Sequence, residues 1–181
     1  MQDKLPIKLK EMSDVEFNDN LSFRNRNRFL DEFENASQLP NFDSQDEADK
    51  FFIALKEDRL SEFLQFLEHH NFFTPDYTPE SLKDLEKLYY KLYEEGRFGD
   101  DLIKIEDFEL YMSLYFGEVM VRNTDFFQWG AEKHFLTNNA YYLAIKKKLL
   151  SMGIARLKNY YNTKNNKTRQ SLFRKYKSYS T

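Results

Sequence analysis

The chain contains no cysteine. Disulfides, thiolate metal sites and a cysteine nucleophile are therefore excluded, and the composition fits a reducing compartment. Glycine and proline are scarce, at five and four in 181 residues. Obligatory breaks are few, and abundant Leu, Lys and Glu favour helices. No uninterrupted apolar run reaches the roughly 18 residues that a bilayer-spanning helix needs, so no membrane partner is expected. The opening residues Met1 to Met12 lack the apolar stretch of a secretory signal, which makes the cytoplasm the expected location. There is no phosphate-binding loop, no G-x-G-x-x-G and no G-x-S-x-G. Nucleotide cradling and serine nucleophiles have no motif to rest on, and no cofactor is expected.

Aromatic residues, by contrast, are abundant: 12 Tyr and 18 Phe, with a single Trp. Such a load points to a core built from rings, with tyrosine hydroxyls reaching toward polar partners. A chain of this length reads as one domain, able to bury roughly 70% of its unfolded surface without staples.

The net charge of −3 conceals a division. Residues 133–181 hold twelve Lys or Arg and no acid, so the remainder holds 15 basic and all 30 acidic residues. The body is thus −15 and the tail +12. Either the basic tail packs on the acidic body, or one of the two surfaces meets an oppositely charged partner.

Periodicity predicts about six helices. Residues 1–20 read as an irregular N-terminal segment. Leu21, Phe29, Leu30 and Phe33 have helical spacing. Ser44 with Glu47 forms a capping-box pattern ahead of Phe51, Phe52, Leu55, Leu60, Phe63 and Leu67, a helix running to about His70. Thr78 and Pro79 open a helix carrying Leu82, Leu85, Leu88, Tyr89 and Leu92, with Gly96 as its stop. The next spans 106–123. Residues 138–181 read as basic C-terminal helices, the first carrying Tyr142, Ile145, Leu149, Leu150, Ile154 and Leu157. No sustained period-two alternation occurs. The expected fold is an all-α, single-domain helical bundle around the helix at 106–123, with a strand pair near 126–137 as the alternative.

The stretch ELYMSLYFGEVMVRNTDFFQW, residues 109–129, is apolar nearly all round, as suits a central helix. Yet it contains Gly117, Glu118 and Arg122. Glycine costs about 1 kcal/mol against alanine inside a helix, so close approach by a neighbouring helix or ring is the expected compensation. Glu118 precedes Arg122 by one turn, the better order for an ion pair. A buried charge needs such a partner, so an internal pair packed near Trp129 is expected. The other reading makes Glu118 a general base or metal ligand, for which no second group is evident.

Gly117, Glu118, Val119, Arg122, Asn123 and Trp129 together resemble a pattern met in small uncharacterised bacterial domains, some of them immunity proteins encoded beside secreted toxins. The likeness extends from about Leu82 to Tyr176. It departs from the pattern before Trp129, where Asp125-Phe126-Phe127 replaces a glycine pair. The resemblance implies a non-enzymatic protein that occludes a partner, such as a basic toxin domain.

Other sites compete with this reading. His69 and His70 are adjacent and diverge by about 100° on a helix, so they cannot chelate one ion together. His134 stands near the Trp loop and reads as a hydrogen-bonded structural histidine. Residues 43–49, DSQDEAD, lack the glycine of a calcium loop. For a protein partner, the acidic candidates are Asp49, Glu57, Asp58 and Glu62. The alternative is nucleic-acid binding through Lys146, Lys147, Lys148, Arg174 and Lys175, interleaved with Tyr160, Tyr161, Tyr176 and Tyr179. A sequence pI near 5.7 argues against a dedicated polyanion binder.

Overall fold

A computed structural model describes residues 39–135, 137, 139–147, 150–153 and 170–180. The expected helix at 21–33 lies outside the described residues, as do Lys148, Leu149, Ile154 and Leu157.

Helix α1 spans Gln45–His69. Ser44 caps it, its hydroxyl accepting from the Glu47 amide at 3.2 Å. Glu47 reaches back to the amide of Asp43 at 3.1 Å rather than to that of Ser44. The helix stops where Asn71 turns left-handed at φ 50° and the Phe72 amide returns to the Leu67 carbonyl. Helix α2, Ser81–Glu94, follows a turn in which the Thr78 hydroxyl accepts from the Ser81 amide at 3.3 Å. Gly96, at φ 63°, lets the Arg97 amide close on the Leu92 carbonyl. Both ends are left-handed C-caps, one built on asparagine and one on glycine.

Helix α3 spans Ile105–Arg122 and is buried continuously from Phe108 to Met120. It lies against α1, where the Phe63 ring stacks on Tyr111 at 4.9 Å and meets Phe108 edge-on at 5.6 Å. Three strands follow: β1 Gln128–Lys133, β2 Tyr141–Lys147 and β3 Leu150–Gly153. They form an antiparallel sheet with β2 in the middle. Helix α4, Ser171–Ser180, closes the described chain and buries Leu172, Phe173 and Tyr176 in the shared core.

The all-α expectation is overturned: the described residues form four helices and a three-stranded antiparallel sheet. The helix expected from about residue 138 is instead β2 and β3. The physical reason lies in AYYLAI, residues 140–145, an apolar run that fits a buried strand as well as a buried helix. In β2, Tyr141, Leu143 and Ile145 face the main core, while Tyr142 and Ala144, with Ala140 just before the strand, pack with Leu39 in a second cluster. Both faces are apolar, so the alternation of a strand is masked. The expected strand near 126–137 exists as β1, but its partner is β2.

Candidate functional site

Glu118 sits at the meeting point of α1, α3 and β1. Its side chain is 9% exposed, and both carboxylate oxygens are engaged. Oε1 accepts from Arg122 Nε at 2.7 Å. Oε2 accepts from Lys56 Nζ at 3.0 Å and from the Trp129 indole N–H at 2.9 Å. Burial pushes the carboxyl pKa upward, but the bonds from Arg122, Lys56 and Trp129 outweigh it and hold Glu118 below the usual carboxylate range. The group is therefore an anion fixed by three donors.

Gly117 makes this arrangement possible. A Cβ at that position would overlap Cζ2 and Cη2 of the Trp129 ring and lie 2.9 Å from Ile145 Cδ1. The indole lies directly on the bare helix backbone, its N–H aimed at the next residue. The expected close approach is thus by a ring. Lys56 is the missed member. It is 3% exposed, lies 5.5 Å from the Trp129 ring centre, and also bonds Glu57 Oε1 at 2.5 Å. A lysine in the middle of a long helix gave no sign of burial.

Arg122 is less enclosed than expected. Its side chain is 52% exposed, and its guanidinium lies 3.8 Å over the Tyr77 ring. Tyr77 is held at φ 58°, with its amide donating to the Tyr115 hydroxyl at 3.1 Å. Its carbonyl accepts from the Asn123 side chain at 2.8 Å, and its ring stacks on Tyr115 at 4.9 Å. The segment that reads as a plain connector is thus locked to α3.

The four acidic candidates are drawn into the fold. Asp49 Oδ1 accepts from the Ala131 amide at 2.5 Å and from Gln45 at 3.1 Å, while Gln45 also donates to the Ala131 carbonyl at 2.7 Å. Together they cover the outer edge of β1, which is a common means of protecting a strand edge. Glu57 pairs with Lys56. Asp58 and Glu62 both bind the fully buried Arg59, and Glu62 also accepts from the Tyr111 hydroxyl at 3.0 Å. They do not make one free acidic patch.

The basic candidates are dispersed. Lys146 lies 3.7 Å from Glu132, and Lys147 lies over Phe126 at 3.9 Å and donates to the Tyr179 carbonyl at 3.3 Å. Arg174 is exposed, Lys175 lies 4.5 Å over Tyr179, and Lys148 lies outside the described residues. The tail is joined to the body by an acid: buried Glu86 of α2 accepts from the Ser171 and Leu172 amides, both at 3.0 Å. It caps α4 with a full negative charge at the positive end of the helix.

Among the described residues, no group of three His, Asp or Glu could hold a metal ion. His134 is buried beneath Phe135, and His69 and His70 cross at nearly a right angle. No helix among the described residues is long and apolar enough to cross a membrane.

A family model described as "Uncharacterised protein YwmA" matches residues 41–180, a span that contains every described element. The chain belongs to that family. The "Uncharacterized protein YwmA" of Bacillus subtilis (strain 168) is 27% identical over 123 residues, covering 68% of this chain and 78% of that protein. No solved structure matches. Membership in the YwmA family establishes bacterial kinship. It does not extend to the immunity-protein likeness of the Gly117–Trp129 motif.

Proposed function

We propose that this YwmA-family protein is a non-enzymatic binding protein that docks a basic protein partner on the corner between α2 and α3. The observation that carries the reading is the exposure of Glu94, Glu95, Asp100, Asp101 and Glu106, from the end of α2 to the start of α3, together with Tyr93, which is 48% exposed. Two cations, Arg97 and Lys104, lie among them, and Lys104 is already 3.0 Å from Asp100. An aromatic anchor beside a surplus of negative charge is a favourable arrangement for association. The charge speeds encounter, and the ring supplies contact area. The likeness of the motif to immunity proteins directs the partner class to a basic toxin domain. This set is preferred to Asp49, Glu57, Asp58 and Glu62 because it joins exposed acids to an exposed aromatic residue.

The test is parallel affinity capture from source cells with the wild type and a variant carrying Tyr93→Ala, Glu94→Lys, Glu95→Lys and Asp101→Lys. All four positions are exposed, so the fold should survive, which circular dichroism would verify. A basic protein should be retained by the wild type, lost from the variant and released by high salt. Equal capture by both forms would overturn the assignment. Capture abolished by nuclease would favour nucleic-acid binding instead.

A further inference from the structure

We propose that Arg122 is the anchor of a carboxylate-binding site at the opposite end of α3. The proposal is independent of the acidic corner. With a rise of about 1.5 Å per residue, Arg122 lies roughly 25 Å along α3 from that corner.

A guanidinium carries five N–H donors in a rigid plane. Here one is committed: Nε donates to Glu118 Oε1 at 2.7 Å. Among the described residues, Nη1 and Nη2 have no hydrogen-bond partner, although the side chain is only 52% exposed. The guanidinium rests on an aromatic support. Its Cζ lies 3.8 Å from the Tyr77 centroid, and the Tyr77 ring stacks on Tyr115 at 4.9 Å and 20°.

The support behind that plane is unusually determined. Tyr77 holds φ 58°, a conformation that costs a non-glycine residue free energy unless its surroundings impose it. Its surroundings do: the Tyr115 hydroxyl accepts from its amide, Asn123 donates to its carbonyl, and Ser81 holds the Tyr115 hydroxyl at 2.8 Å. The rotamer entropy that an exposed arginine normally loses on binding has largely been lost already in the unliganded fold.

The charges nearby select the ligand. Lys56 and Arg122 are balanced by Glu57 and Glu118. Glu57 is 63% exposed and near enough to act electrostatically on Arg122. A phosphate dianion would bring two charges toward that carboxylate. A carboxylate brings one, and its two oxygens match the spacing of the two Nη donors in a bidentate pair. The ligand class is thus a monoanionic carboxylate, supplied by a free small acid or by a peptide.

The experiment is an NMR titration of nitrogen-labelled full-length protein, following the Arg122 Nε–H and the indole N–H of Trp129. The indole is a reporter because it shares Glu118 with Arg122. The probes are acetate, a short peptide with a free C-terminus, its amidated counterpart, and inorganic phosphate. Saturable shifts with acetate and with the free-C-terminus peptide, but not with the amide, would support the site and identify a free acid as sufficient. Saturation by the peptide alone would support the site and assign the carboxylate to a peptide. Arg122→Lys keeps the charge but loses the fork and should weaken binding by about tenfold or more. Tyr77→Leu keeps the arginine but removes its backing plane, and should also weaken binding while amide dispersion is retained. No saturable shift with either carboxylate, equal binding by Arg122→Lys, or tighter binding of phosphate would each overturn the proposal.

Discussion

Gly117 and Trp129 share a volume that no side chain on residue 117 could enter. The indole ring lies where a Cβ would be, and Ile145 closes the remaining side. Gly117→Ala should therefore destabilise the protein despite the gain in helix propensity. Overpacking costs about 1–3 kcal/mol, against about 1 kcal/mol recovered by removing glycine from a helix. A net loss of up to about 2 kcal/mol, with a red shift of Trp129 emission, is expected in urea denaturation followed by fluorescence. Unchanged stability would show that the ring can slide aside.

Glu118→Ala should cost about 3–5 kcal/mol, the typical penalty for breaking one side of a buried pair. The lower end of that range is expected, because Lys56 keeps Glu57 as a partner and Arg122 is half exposed. The acid response follows from the lowered pKa of Glu118. The unfolded group titrates near 4.5 and the folded group below it, so this stabilisation is fully present above that pH. It is lost as pH falls through the folded pKa. Denaturation curves of the wild type and Glu118→Gln should therefore differ most at neutral pH and converge in acid. A gap that widened on acidification would contradict this.

Glu86→Ala should release α4. Two backbone N–H groups would lose a charged acceptor, and loss of a helix cap typically costs about 0.5–2 kcal/mol. The effect should be local: faster hydrogen exchange over 171–180 and earlier tryptic cleavage at Arg174 to Lys177. Equal exchange in both proteins would mean that Leu172, Phe173 and Tyr176 alone secure the helix.

Asp49→Ala should uncover the outer edge of β1. A buried amide left without its acceptor costs about 1–3 kcal/mol. An uncovered edge also favours pairing with another chain. The variant is expected to be less stable and to show concentration-dependent light scattering. Monomeric behaviour at all concentrations would indicate that Gln45 guards the edge unaided.

The helices with local punctuation were legible in the sequence. Ser44, Thr78 and Gly96 each marked a boundary, and the spacing at 106–123 matched α3 within one residue at each end. The sheet was hidden because β2 is apolar on both faces, so no alternation exposed it. Lys56 and Arg59 were hidden for a different reason. Each has a carboxylate one to three residues away, as exposed surface pairs do. Glu118 and Arg122 gave away their pairing by helical spacing. Trp129 and Tyr77 could not, because their contacts cross from loop and strand to helix, and short-range periodicity carries no record of such contacts.

The side chains of Gln45 and Asp49 reach β1 across 86 and 82 residues of sequence. This separation sets an order of events during synthesis. The start of α1 leaves the ribosome about eighty residues before Ala131. The groups that cover the edge of β1 are thus synthesised before the strand they cover, and the edge never exists in a chain that lacks its cover.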